Sequence, residues 1–252
     1  MKVDLSIDER ETVDDMQRKL TEALGGKLDA LVLYGPATWG DRADGEVHLL
    51  IVLADAEVAT LDALAGPLAF WRRNDLPVPR LVTRAELARM SDVFPLEIAD
   101  LGAHREVLVG ADPVAGVVVD DEHIRLQCER EITEKLLRLR EGYAECGGKR
   151  RTVRRLLVES FPDFCLVLRG ALRLYGVAVP DRGIDVARAF CRAADLDDRA
   201  FVEVDALRRS RGEPAPIAEI FARYYAVLAR AAGIIDGLSS SSSQLPRKGA
   251  TP

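Results

Sequence analysis

The stretch LVLYGPATWGDRADGEVHLLIVL, Leu31–Leu53, decides the fold. Together with Leu28–Ala30 its first run is short and apolar, reaches Tyr34 and stops at Gly35, as a buried strand does. Pro36 follows directly. It suits the first position of a helix, where its missing N–H would have no partner anyway. The second run, Glu46 to Leu53, alternates. Val47, Leu49, Ile51 and Leu53 fall on one face, and Glu46, His48, Leu50 and Val52 on the other. Glu46 and His48 therefore point the same way, about 6–7 Å apart along a strand. Two polar groups at the head of an apolar strand, eleven positions after a glycine turn, call for a chemical role.

Strand, Gly-Ser turn, a spacer of about ten residues and then Asp-x-Asp heading an apolar strand is the signature of the nucleotidyltransferase superfamily. The chain resembles that superfamily, which includes the minimal and kanamycin nucleotidyltransferases and the DNA polymerase β type. The frame is kept and the polar positions differ: Gly35-Pro36 stands for Gly-Ser, Glu46 for the first Asp and His48 for the second. The resemblance also implies a third carboxylate on a later strand. Within FPLEIADL, 94–101, strand alternation puts Phe94, Leu96 and Ile98 on one side and Glu97 on the other, so Glu97 is the expected third acid. The string REVLVG at 105–110, the Asp-Pro at 112–113 and the Arg-, Glu- and Leu-rich helix beyond them are similar to a bacterial subgroup with a helical domain after the catalytic one. There the accessory helices close one side of the cleft.

By resemblance, Glu46, His48 and Glu97 form the catalytic and metal-binding set, and Gly35, Pro36, Asp41 and Arg42 contact a nucleotide. The implied cofactors are Mg²⁺ or Mn²⁺ with ATP or another nucleoside triphosphate. Nucleotidyl transfer needs two Mg²⁺ ions clamping the attacking and leaving oxygens, and Mg²⁺ takes carboxylate oxygens. Pro36 removes a hydroxyl and an N–H from the phosphate cradle, Glu46 is one methylene longer than Asp, and imidazole is a poor Mg²⁺ ligand. The expected function is accordingly a nucleotide-binding or regulatory protein on a degenerate site, with little or no transferase activity. The alternative is an active metal-dependent enzyme moving a nucleoside monophosphate onto a hydroxyl of a small molecule, RNA or protein.

Composition sets the outer bounds. The chain has 252 residues, 48% apolar and 30% charged, enough for one large or two ordinary domains. A net charge of −6 argues against general nucleic-acid binding. Cys128, Cys146, Cys165 and Cys191 show no metal-ligand spacing and read as reduced, mostly buried thiols. With no signal-peptide pattern and no apolar run of about 18 residues, a cytoplasmic location without membrane insertion is expected. A homodimer or another protein partner is compatible with the helical half. Lys149, Arg150, Arg151, Arg154 and Arg155 form a basic cluster, read as a solvated face paired with Glu145 and Glu159, or as a phosphate or RNA contact. His104 and His123 read as surface residues.

The expected architecture is α+β. Residues 1–114 form a nucleotidyltransferase-like mixed sheet with flanking helices. Residues 115–238 form a helical bundle, and 239–252, with five consecutive serines, a disordered tail. Residues 9–25 read as an amphipathic helix, 58–73 as a helix broken at Gly66-Pro67, 78–82 as an edge strand, and Thr83 with Glu86 as a capping box. Val117–Val119 reads as the last β-like run, and Phe161-Pro162 as the end of the basic helix that begins at 149.

Overall fold

The computed structural model describes residues 3, 5–39, 47–209, 212 and 215–238. The chain divides into two compact units, Met1–Val119 and Asp120–Pro252. In the first, helix α1 (Ile7–Leu24) opens on a capping box in which Ser6 accepts from the Glu9 N–H and Glu9 reaches back to Ser6. It buries Val13, Met16, Leu20 and Leu24 at the helical period. A 3₁₀ turn leads into β1 (Leu28–Tyr34), then α2 (Pro36–Trp39) and β2 (His48–Leu53). Next come α3 (Val58–Ala63), α4 (Ala65–Arg73), β3 (Arg80–Thr83), α5 (Arg84–Val93), α6 (Pro95–Ala103) and β4 (Arg105–Gly110).

The four strands run in the order β3-β2-β1-β4. β1 is antiparallel to both β2 and β4, and β3 runs parallel to β2 at the edge. Period-two alternation splits the sheet into two cores. Leu31, Leu33, Leu49, Ile51 and Leu53 pack with α1 and Trp71 of α4. Ala30, Val32, Leu50 and Val52 pack with Leu87 of α5 and with Ile98 and Leu101 of α6. Burying each large aliphatic side chain contributes about 1.5–3 kcal/mol before chain entropy is counted. Gly110 closes β4 at φ +78°, where an added Cβ would lie 2.0 Å from the Asp29 carbonyl oxygen, so only glycine fits beside β1.

Three local expectations are corrected. The 58–73 helix breaks at Leu64 rather than at Gly66-Pro67, and Pro67 lies in the first turn of α4, where its missing N–H costs nothing. Val117–Val119 forms no strand; it packs against the second core as coil. Residues 94–101 form the start of α6, not a strand. Pro95 sits at its first turn and the Ile98 N–H bonds back to the Phe94 carbonyl at 3.0 Å. Leu96, Ile98 and Asp100 are all buried, which copies strand alternation, but Pro95 and Leu101 are buried too, so the apolar face turns with the helix.

The second unit is helical in its described residues: α7 (Asp121–Cys146), α8 (Arg150–Leu174), α9 (Gly183–Ala193), α10 (Arg199–Arg208) and α11 (Ile217–Asp236). Helix α8 packs on the other four and runs unbroken through Pro162. The expected break is absent because Pro162 is exposed while Phe161, Phe164 and Cys165 beside it are buried. Packing outweighs the roughly 3 kcal/mol that an interior proline costs. Three buried charges are anchored. Arg169 donates to the Pro180 and Asp181 carbonyls, Asp205 accepts from Arg208 and Arg209, and Glu203 accepts from Arg199 and Arg223. Residues 239–252 lie outside the described residues.

Candidate functional site

Sheet register gathers polar groups at one end. Tyr34, the last residue of β1, pairs with His48 of β2 on one side and Arg105 of β4 on the other. Two positions along β2, Leu50 pairs with Arg80 of β3. Side chains at paired positions share a face, so Tyr34, His48, Arg80 and Arg105 share the α5/α6 face. Arg105 is engaged elsewhere: it holds Asp112 bidentately and donates to the Leu101 and Gly102 carbonyls that end α6. Its guanidinium holds the Asp112 carboxyl below the usual range.

Half-buried His48 lies against the turn. Its ring centroid is 5.6 Å from that of Tyr34, tilted by 38°. Gly35 has φ +81°, and a Cβ there would stand 2.9 Å from His48 Cδ2. Glycine is needed both for the left-handed backbone and for the imidazole. The turn is closed on itself. The N–H of buried Thr38 donates to the Gly35 carbonyl at 2.8 Å and its hydroxyl donates to the same oxygen at 2.7 Å. Pro36 has no N–H to offer a ligand at this turn.

Glu97 occupies the first turn of α6, on the same face of the sheet. With Tyr34, Leu50, Arg80 and Met90 it lines a recess of about 50 Å³, floored by Leu87, Ile98 and Leu101. Burial pushes the Tyr34 phenol up; the charge of Arg80 and a hydrogen bond with it pull the other way, and the negative charge of Glu97 pushes up again. The Arg80 guanidinium also stands 5.8 Å from the Phe94 ring centroid. Tyr34 and Arg80 belong to no motif in the sequence. Their one signal is position: Tyr34 immediately precedes the glycine turn, and Arg80 is the lone charge in a short strand.

Glu46, Asp41 and Arg42 lie outside the described residues. Among the described residues, no three His, Cys, Asp or Glu side chains stand close enough to hold a metal ion together. Apart from Arg105 and Asp112, which hold each other, the described polar side chains singled out at this end of the sheet are an imidazole, a guanidinium, a phenol and the Glu97 carboxylate, of which the carboxylate alone is a good Mg²⁺ ligand. His123 is exposed on α7. His104 is half-buried rather than a plain surface residue: it ends α6, its N–H bonding to the Asp100 carbonyl at 2.9 Å. No helix among the described residues is long and apolar enough to cross a membrane.

No family model matches the chain, and no curated protein matches it. Among solved structures it is similar to a spectinomycin adenyltransferase from Enterococcus faecialis, determined with ATP and spectinomycin. The TM-score is 0.52 at 10% identity, covering 87% of this chain and 99% of that one. At that identity the likeness concerns the fold alone: a nucleotidyltransferase-like α+β architecture, with a four-stranded mixed sheet, flanking helices and a helical C-terminal part.

Proposed function

We propose that this chain is a nucleotide-binding or regulatory protein on a nucleotidyltransferase-like scaffold, with little or no transferase activity. The observation that carries the reading is His48. It heads β2 where the resemblance expects a metal-holding carboxylate, and its ring is packed against Gly35 and Tyr34. An imidazole there does not replace the oxygen ligands that two-metal phosphoryl chemistry uses. Pro36 supports the same reading, because where the resemblance expects a serine it offers neither a hydroxyl nor an N–H to a phosphate. The solved neighbour was determined with ATP, which makes ATP the first nucleotide to test.

Titration calorimetry with ATP, with and without Mg²⁺ or Mn²⁺, tests this on the wild type and on His48→Asp. The expected outcome is nucleotide binding by the wild type with no metal-dependent release of pyrophosphate. Steady pyrophosphate release from wild-type protein in the presence of a hydroxyl acceptor would instead establish an active enzyme. No ATP binding in any condition by the wild type, with binding gained in His48→Asp, would turn the search from nucleotides to protein partners.

A further inference from the structure

We propose that the outer face of α8 docks on the phosphate backbone of a nucleic-acid duplex, without reading its sequence. The proposal concerns the Asp120–Pro252 unit and goes beyond nucleotide binding at the sheet. Lys149 is the N-cap residue of α8, and Arg150 and Arg151 open its first turn, which holds no acidic residue. Cations at that end of a helix oppose its dipole. These charges therefore cost the helix stability, which points to a role outside it.

The carboxylates expected to offset the cluster do little. Glu145 makes no ion pair among the described residues. Glu159 stands 3.8 Å from Arg155, with the two side chains 67% and 71% exposed, and a pair so open to water contributes almost nothing. Among the described residues, Lys149 and Arg151 have no carboxylate partner, and both are exposed. Arg154 donates to the Leu207 carbonyl at 2.6 Å, a neutral group that aims the guanidinium and leaves its charge in place. Arg150 already has a partner and is not needed here. The Thr152 hydroxyl donates back to the Lys149 carbonyl at 2.8 Å, which fixes the turn that carries these charges.

Arg151 and Arg155 lie about one turn apart, about 6 Å along the axis. With Thr152, Arg154, Val158 and Glu159 they line an open hollow of about 380 Å³. Arginine forks on a rigid helix suit a repeating row of phosphate oxygens. The surroundings select that partner. A protein interface is anchored by large aromatic or apolar side chains, and a membrane-surface helix seats such side chains in the lipid. Among the described residues, α8 exposes no large apolar side chain, and its Phe161 and Phe164 are buried. Without an accessible ring on this face, the bases of a single strand have nothing to stack on. A duplex keeps its bases paired and presents phosphates, which Arg and Lys contact without sequence information. The net charge of −6 keeps the contact local to this face.

The test uses full-length protein and a fluorescently labelled, mixed-sequence DNA duplex, followed by anisotropy at increasing salt. Binding is expected with a Kd on the order of 10⁻⁶–10⁻⁴ M at low salt, equally well displaced by an unlabelled duplex of unrelated sequence. The logarithm of the binding constant should fall with the logarithm of salt concentration at a slope of about −3, as about three neutralised phosphates give. Arg151→Gln and Arg155→Gln should each take about 1 off that slope, and the two together should weaken binding about tenfold or more. Glu159→Gln should tighten it. All three side chains are exposed, so circular dichroism and a melting temperature no lower than that of the wild type confirm that the variants fold. No binding at low salt, or binding that the arginine variants leave unchanged, overturns the inference. Tighter binding of the single strand than of the duplex overturns it as well. Binding to phosphatidylserine vesicles with none to the duplex overturns it and assigns the face to a membrane surface.

Discussion

Replacing Gly35 by alanine tests whether the glycine turn and His48 form one unit. The backbone there sits at φ +81°, where an L side chain costs about 1–2 kcal/mol. The new methyl would also lie 2.9 Å from His48 Cδ2 and 3.5 Å from Cγ, so the ring must move by a few tenths of an ångström. Pushing the ring off its rotamer adds roughly 0.5–1.5 kcal/mol, and the two effects together reach about 1.5–3.5 kcal/mol. Removing the ring should relieve the second effect and not the first. In a His48→Ala background Gly35→Ala should therefore cost only about 1–2 kcal/mol, leaving a coupling of about 0.5–1.5 kcal/mol. The assay is urea unfolding followed by tryptophan fluorescence. The chain's two tryptophans, Trp39 and Trp71, both belong to the Met1–Val119 unit, so the signal follows that unit alone. A cost below about 0.5 kcal/mol would refute the strained-turn argument. Equal costs in the two backgrounds would refute the ring contact.

Three further outcomes are expected. Gly110→Ala should destabilise the same unit by about 3 kcal/mol or more in the same assay, since its methyl meets the Asp29 carbonyl of β1, a backbone atom that cannot swing aside. Asp55 accepts hydrogen bonds from Lys27 and Thr60 that hold its carboxyl down at about 2, from an ordinary 3.8. A depressed carboxyl stabilises above its unfolded value and loses that contribution as pH falls through its folded one, so melting temperature should drop between about pH 4 and 2, less steeply in Asp55→Asn. Burial pushes the Cys128 and Cys191 thiols up to about 12, so a thiol reagent at neutral pH should label half-buried Cys146 first, and Cys146→Ser should remove the fast phase.

The main elements were legible because their signals are local. The capping boxes at Ser6 and Thr83, the apolar runs of β1 and β2, and the glycine that stops α7 each lie within a few residues of sequence. The misreadings share a cause. In 94–101, alternating Leu96, Ile98 and Asp100 satisfied strand periodicity, while the segment is a helix that starts on Pro95 and packs Ile98 and Leu101 into the second core. At Pro162 a local breaker was overruled by packing on four other helices.

At the candidate site, the nearness of Gly35 and His48 was legible in the sequence by itself, because a tight turn and the strand head that follows it are neighbours along the chain. The sequence could not determine Tyr34 and Arg80 as their companions. Arg80 comes 32 positions after His48 and meets this site only because β3 pairs in parallel with β2, an arrangement set by how the intervening helices cover the sheet. Glu97, expected on a strand, stands instead in the first turn of α6 and reaches from there the recess that Leu50 and Met90 also line, a juxtaposition that only the tertiary structure makes.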